Sequence, residues 1–169
     1  EGVTTIESDA FGGNSNLKSV TIPENVTELG YEVFTYCTSL TDISVSDNNE
    51  YYKVIDGILY TKDGSELIVC PAGKKGEIVI PEGVETIGSW GFAGCSGLTS
   101  VTLPKSVTMI DCYAFENCSN LSNVTMFKGM VGIERDAFIN CDNLKQLYIP
   151  VSVKYIEEHA IGYSYENYI

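Results

Sequence analysis

Six cysteines and one histidine are the side chains of this 169-residue chain with the most obvious capacity for chemistry. Four of the cysteines, Cys37, Cys95, Cys118 and Cys141, stand at matching places in similar stretches of sequence. A catalytic cysteine or serine needs a histidine base, and the only histidine, His159, lies near the C-terminal end. No C-x-x-C pair indicates a zinc site. We therefore predict that the chain is not an enzyme.

The acidic residues give only a weak indication of a metal site. Asp47, Asn49 and Glu50 are close together, but their spacing is not that of an EF-hand loop. We interpret them as a polar turn and expect neither a metal nor a cofactor.

The net charge of the chain limits the classes of molecule that it can bind. With 23 acidic and 10 basic residues, the net charge is −13. Binding to nucleic acid or to an anionic membrane surface requires clustered lysine and arginine, so both are excluded. The sequence contains no run of 18 apolar residues, the length that a helix needs to span a bilayer. An apolar fraction of 44% is ordinary for a folded protein.

A repeat of 23 residues must position these side chains. The stretch from Leu98 to Cys118 reappears from Leu121 to Cys141 and from Leu17 to Cys37. Its phenylalanines mark the frame: Phe11, Phe34, Phe92, Phe115 and Phe138, followed by Ile161. A fixed period of this length predicts a solenoid, in which each turn packs on the next.

Each repeat contains the clusters L-x-x-V-x-I, V-x-x-I and A-F-x-x-C. The first alternates as a strand does and is usually closed by proline. It predicts a parallel sheet of short strands, centred on Val20, Ile43, Ile78, Val101, Val124 and Leu147. The 23 residues of a repeat leave room only for turns or 3₁₀ segments on the convex side.

One repeat is 35 residues long, because Ile43 and Ile78 are 35 positions apart. The extra residues include Asp56-Gly57 and Asp63-Gly64, pairs that strongly favour hairpin turns. We predict a three-stranded meander in place of the convex turn, with strands at Val54–Ile55, Ile58–Thr61 and Glu66–Val69.

The A-F-x-x-C-x-x-L-x-x-V-x-I-P frame, its period and the DGILYTKDG insert together resemble the BspA-type leucine-rich repeats of bacterial surface proteins. The resemblance implies a right-handed leucine-rich-repeat solenoid, located outside the cell or at its surface, which binds host matrix or bacterial surface proteins and mediates adhesion. It implies no catalytic residues. The tail departs from the frame at Ile161 and Ser164.

We expect residues 1–169 to form a single solenoid, with the insert at about residues 46–76, and to be a fragment of a longer chain. Cysteines stacked in one column have parallel Cβ vectors, which is poor geometry for a disulfide. We therefore expect the four column cysteines to be reduced and buried. Of the two outside the column, Cys70 and Cys112, we expect Cys112 to be the exposed thiol.

The outward face of the sheet is the predicted binding surface. Phe127 takes the place of a proline and Tyr148 that of a threonine, so two aromatic rings occupy slots that are otherwise small or cyclic. The candidate contacts are Phe127, Tyr148, Asn123, Thr125, Gln146 and Thr102. A second candidate is the insert, with Tyr51, Tyr52 and Tyr60. A plain solvated sheet and a glycan-binding module of a surface or fibre-degrading complex remain open as alternatives.

Overall fold

The computed structural model describes residues 2–162, and these fold entirely into short strands and turns, without a helix. Within this part of the chain no helix could therefore cross a membrane. The strands are β1 (Thr5–Ile6), β2 (Ser19–Ile22), β3 (Glu28–Leu29), β4 (Asp42–Val45), β5 (Tyr52–Ile55), β6 (Ile58–Thr61), β7 (Glu66–Val69), β8 (Lys75–Val79), β9 (Thr86–Ile87), β10 (Gly97–Thr102), β11 (Met109–Ile110), β12 (Asn123–Thr125), β13 (Gly132–Ile133) and β14 (Tyr155–Ile156).

Successive turns of the chain stack in register, which makes the molecule a solenoid. In the first column of strands, Val101 of β10 pairs with Ile78 of β8 on one side and with Val124 of β12 on the other. The V-x-x-I cluster forms a second column, in which β9, β11, β13 and β14 are parallel neighbours. The 23-residue period therefore becomes the spacing between hydrogen-bonded strands.

The phenylalanines of the A-F-x-x-C cluster form a stack along the core. The rings of Phe92 and Phe115 are 4.7 Å apart and nearly parallel, and those of Phe115 and Phe138 are 4.9 Å apart. Phe11 and Phe34 stack at 5.3 Å in the N-terminal half. All three of Phe92, Phe115 and Phe138 are buried, so this column contributes strongly to the core.

The insert forms three antiparallel strands, of which β6 and β7 have the predicted bounds, while β5 begins at Tyr52, two residues before the predicted Val54. β7 also pairs in parallel with β9, through Leu67 and Ile87, and so joins the second column. Alternate side chains of β6 enter different halves of the core: Leu59 packs with the N-terminal cluster, whereas Ile58 and Tyr60 pack with the C-terminal one.

The prediction of one continuous sheet is wrong in two places. β2 and β4 form one sheet and β8, β10 and β12 another, with no ladder between β4 and β8. The turn between β5 and β6 lies close to this break, since the Nζ of Lys74, the residue before β8, donates to the Asp56 carbonyl at 2.6 Å. In addition, no strand forms around Leu147, although its side chain packs against the core. That segment ends the column within the described residues and could pair on one side only.

Two positions in nearly every convex turn have a left-handed backbone, which the sequence analysis did not anticipate. One carries Asp9, Glu32, Trp90, Tyr113, Asp136 and His159, and the other carries Gly13, Tyr36, Gly94, Asn117 and Asn140. Asparagine and glycine tolerate this conformation, and their recurrence in the second position is the signal that could have revealed it. Aromatic residues adopt it less readily, so Trp90 and Tyr113 are unusual members.

Candidate interaction surfaces

The strand face is exposed, as its alternating sequence predicts. Phe127 is 37% exposed and Tyr148 is 71% exposed, while Val79 on β8 is 73% exposed. Gln146 and Asn123 are also exposed, whereas Thr102 and Thr125 are half-buried. The structure shows no ring contact between Phe127 and Tyr148, both of which lie in its described part. They are two separate apolar side chains at one end of the face.

Short polar ladders connect the rest of this face. The hydroxyls of Thr21 and Ser44 are 2.8 Å apart, and the Asn123 amide donates to Ser100 at 3.3 Å and to Thr125 at 3.2 Å. The Thr21–Ser44 and Asn123–Ser100 contacts join neighbouring strands and so stabilise the sheet itself, whereas Asn123 and Thr125 both lie in β12. The amide of Asn123 is consequently engaged before any partner arrives.

Two of the three tyrosines proposed for the second site, at the insert, are buried. Tyr60 is 1% exposed and Tyr52 is 8% exposed, and the Tyr52 hydroxyl donates to the Thr27 carbonyl. Both rings fill space between the halves of the core, because the meander lies between them. Only Tyr51, at 49% exposure, can contact another molecule.

Asn49, which the sequence placed in a polar turn, is fully buried and makes four hydrogen bonds. Its Nδ2 donates to the carbonyls of Pro23 and Val26 at 2.8 and 2.9 Å. Its Oδ1 accepts from the backbone N–H groups of Tyr51 and Tyr52, both at 2.8 Å. This amide therefore ties the start of the insert to the preceding turn. Within residues 2–162 no group of three or more His, Cys, Asp or Glu could hold a metal ion.

The column cysteines have a hydrogen-bonding role that the sequence did not reveal. The thiol of Cys118 donates to the Phe92 carbonyl at 3.1 Å, and that of Cys141 to the Phe115 carbonyl at 3.1 Å. Cys37 makes the same contact with Phe11 at 3.0 Å. A hydrogen bond to Cys141 together with burial raises the pKa of the Cys118 thiol. Each thiol thus satisfies a carbonyl of the preceding turn.

All six cysteines are free, and Cys37, Cys95 and Cys118 are buried as predicted. Cys141 is only half-buried, which corrects the prediction for the fourth column cysteine; it lies in the last such turn of the described chain. Cys70, outside the column, is buried. Cys112 is half-buried, and burial, followed by a hydrogen bond to Glu134, raises its pKa to about 11.

We expect a thiol reagent to modify only Cys112 and Cys141 in the native protein at pH 8, and the other four cysteines only after unfolding. Modification of Cys112 should accelerate as the pH rises toward 11, because the thiolate is the reactive form. Counting modified thiols by mass spectrometry, with Cys112→Ser as the control, measures this. A Cys95–Cys118 disulfide in the purified protein would contradict the expectation.

A cleft opens on the convex side at the insert, and no motif in the sequence predicts it. The 35-residue repeat lacks an A-F-x-x-C turn, so the convex turns on either side are separated by a cavity of about 290 Å³. We call this cavity the insert cleft. Tyr31 from one side and Trp90 from the other meet with ring centroids 5.6 Å apart. Trp90 in turn stacks on Tyr113 at 5.1 Å.

A second aromatic contact bridges the two halves nearby. The Tyr36 hydroxyl donates to the Glu116 carboxylate at 3.0 Å and accepts from the Asn117 amide at 2.6 Å. These partners are 80 and 81 residues apart in sequence. Burial, followed by the charge of Glu116, raises the pKa of Tyr36 to about 12.

Three carboxylates line the insert cleft: Glu32, Glu66 and Asp111. Burial, followed by the charges of Glu134 and Glu66, raises the pKa of Asp111 to about 6. Burial and the charge of Asp63 raise the pKa of Glu66. The space for the Glu66 carboxylate exists because Gly88 has no side chain; a Cβ there would lie 2.6 Å from its Oε1.

Asp111→Asn is expected to stabilise the protein at pH 7 but not at pH 4. The pKa of Asp111 is about 6 in the folded chain, against an ordinary value of 3.8. Below pH 4 the protonated carboxyl is accommodated in the folded chain at no cost, and this contribution to stability is lost as the pH rises through 6, because the folded chain must then hold the charge. The gain should be about 1 kcal/mol, since the half-exposed group is screened by solvent.

Chemical denaturation of this variant at the two pH values measures the difference. Glu82→Gln removes one negative charge from an exposed position and serves as the control. An Asp111→Asn protein that is no more stable than the parent at pH 7 would contradict the expected sign.

The stacked parallel strands and turns define a leucine-rich-repeat solenoid. The family model for the BspA type leucine-rich repeat region matches residues 1–55 and 74–167, in six copies, and the unmatched residues between them contain β6 and β7. The chain belongs to this family.

Solved structures agree with the fold. A leucine-rich cell surface protein of Faecalibacterium prausnitzii is 33% identical, with a TM-score of 0.85 over 95% of this chain and 42% of its own. The pneumococcal vaccine antigen PcpA is 29% identical, with a TM-score of 0.86 over 94% of this chain and 40% of its own. The chain thus spans less than half the length of either. No curated protein matches the chain.

Proposed function

We propose that the chain is a non-catalytic protein-interaction module of a bacterial cell-surface or secreted protein, with adhesion as its role. The supporting facts are membership of the BspA-type family and the similarity to a protein named as a cell surface protein. The partner is a host matrix protein or a bacterial surface protein, bound at the strand face.

The exposure of Phe127 and Tyr148 is the observation on which this proposal depends. The inward positions of the same segments already supply the core, through Val124 and Met126 on one turn and Leu147 on the next. Tyr148, at 71% exposure, therefore contributes little to the packing of the solenoid, and the 37% of Phe127 that is exposed lies open to a partner. Such side chains dominate the binding energy of protein interfaces, which supports their role as contacts.

A glycan-binding module is the second candidate function. The observation that favours it is the insert cleft, where aromatic rings stand beside carboxylates. The strand face favours it less, because the Asn123 amide is already bound to Ser100 and Thr125.

The test is a solid-phase binding assay of the chain against purified extracellular-matrix proteins and, in parallel, a glycan array. For a protein that binds, the double variant Phe127→Ser/Tyr148→Thr should weaken binding by about 2 kcal/mol, as the loss of interface anchors does. Tyr148 is 71% exposed but Phe127 only 37%, so the melting temperature should fall by at most a few degrees, and binding is measured well below it.

The matched control is Thr21→Ser/Ser44→Ala, which changes the same face at its other end. It should leave the affinity within a factor of two. If the double aromatic variant binds as tightly as the parent, the strand face is a scaffold and the proposed contacts are wrong.

A further inference from the structure

The insert cleft is a pocket built from both halves of the solenoid. Its walls come from the turn before the insert, through Tyr31 and Glu32, and from the turn after it, through Ser89 and Trp90. Its floor includes Ile68 and Val69 of β7. A complete convex turn would fill this space, as the phenylalanine stack does elsewhere. The missing turn therefore creates a recess at one place in the array.

The charged side chains that line the insert cleft are all acidic. Glu32, Glu66 and Asp111 line it, and no lysine, arginine or histidine is among the lining residues. The salt bridges within residues 2–162 lie elsewhere, around Asp136 and Glu158. Partial burial, followed by the charges of Glu134 and Glu66, raises the pKa of Asp111, and partial burial followed by the charges of Glu116 and Asp9 raises that of Glu32. A positive charge in the cleft would relieve these unfavourable interactions.

The aromatic walls select the kind of cation. An ammonium or guanidinium group within about 6 Å of a Trp or Tyr ring is attracted by the electrons of the ring. Trp90 is held in place by its stack on Tyr113, so its face is preorganised. The described carboxylates form no group able to hold a metal ion, which favours an organic cation.

The size of the cleft indicates how much of a partner enters. At about 290 Å³ it is at the lower limit for small-molecule sites, which extend from about 300 to 1,000 Å³. One long side chain fits such a volume better than an oligosaccharide does. The apolar stem would pack on Ile68 and Val69, and the charged end would meet the carboxylates.

We propose that the insert cleft binds a lysine or arginine side chain of a protein partner, between the Tyr31–Trp90 pair and the carboxylates of Glu66 and Asp111. This proposal rests on the proposed function and assigns a second contact region on the convex side, away from Phe127 and Tyr148. It also explains why the partly buried carboxylates of Glu66 and Asp111 lie in one cleft, an arrangement that costs stability when no cation is bound.

Trp90 is the only tryptophan of the chain and reports directly on the cleft. The probes are the blocked tripeptides acetyl-Gly-Arg-Gly-amide and acetyl-Gly-Lys-Gly-amide, with the citrulline tripeptide as a neutral isostere of the first. We expect a saturable change in Trp90 fluorescence with the cationic peptides, with Kd on the order of 1 mM at low salt. Citrulline should give none, and binding should weaken as salt is added.

Charge-removing variants locate the binding. Glu66→Gln/Asp111→Asn should weaken arginine binding at least tenfold, whereas the exposed Glu82→Gln should change it less than twofold. Equal effects of the two would mean that the net charge of −13 attracts the peptide without a site, and would overturn the proposal. So would a fluorescence response to a neutral trisaccharide without one to the cationic peptides, which would identify a glycan site.

The outcome is separable from that of the proposed function. If the cationic peptides bind and the Phe127→Ser/Tyr148→Thr change does not affect partner binding, the cleft proposal is supported and the strand-face proposal is wrong. If that double variant loses partner binding and no peptide binds in the cleft, the strand-face proposal is supported and the cleft proposal is wrong.

Discussion

Phe115→Ala is expected to lower the free energy of unfolding by about 4 kcal/mol, the largest loss among the substitutions considered. Phe115 is completely buried, and its ring stacks on Phe92 at 4.7 Å and on Phe138 at 4.9 Å. Alanine would leave a cavity between two rings that the turns above and below hold at their spacing. The loss combines the transfer free energy of the ring with the contacts that its neighbours lose.

Urea denaturation followed by circular dichroism measures this loss. Substitutions at two other aromatic positions serve as controls, with smaller expected losses of stability. Phe11→Ala removes a partly exposed ring with only Phe34 as its stacking partner, so a loss of about 2 kcal/mol is expected. Tyr148→Ala removes a ring that is 71% exposed and should change stability by less than about 0.5 kcal/mol. If Phe115→Ala unfolds at the same urea concentration as Tyr148→Ala, the stack is not part of the stable core.

Asn49→Ala is expected to cost about 3 kcal/mol. The side chain is 0% exposed, and its loss would leave two carbonyls and two N–H groups near the start of the insert without their partner. The carbonyls belong to the preceding turn at Pro23 and Val26, so the insert would also lose one of its attachments to the N-terminal half, while the bond from Tyr52 to the Thr27 carbonyl remains.

The adjacent Asn48 offers a matched control, because it is exposed and its amide makes one bond, to Glu24 at 3.2 Å. Asn48→Ala should change stability by less than about 0.5 kcal/mol. Asn49→Asp keeps the acceptor for Tyr51 and Tyr52 but places a negative charge near two carbonyl oxygens. It should destabilise strongly at pH 7 and less at pH 4, where the carboxyl can carry a proton and donate. Equal stability of Asn48→Ala and Asn49→Ala would refute the role of Asn49.

The candidate contacts could be found from the sequence only where they lie on the regular columns. Phe127 and Tyr148 occupy slots whose orientation follows from the period, so their exposure was predictable. Tyr52 and Tyr60 lie in the insert, where no repeat specifies which side is inward. Tyr60 is buried because β6 lies between two halves of the core, and alternation along β6 sends Leu59 to one half and Tyr60 to the other.

What the sequence by itself determines is the part of the molecule that repeats. The 23-residue spacing places Phe92, Phe115 and Phe138 in one stack, and the two Asp-Gly pairs define the strands of the insert, because strand alternation and turn chemistry are local properties. Only the tertiary structure decides the rest. The break between β4 and β8, the burial of Tyr60 and the insert cleft depend on contacts between residues far apart in sequence. Tyr31 and Trp90 meet because a turn is missing between them, and no local pattern specifies which distant side chains come together when a repeat is interrupted.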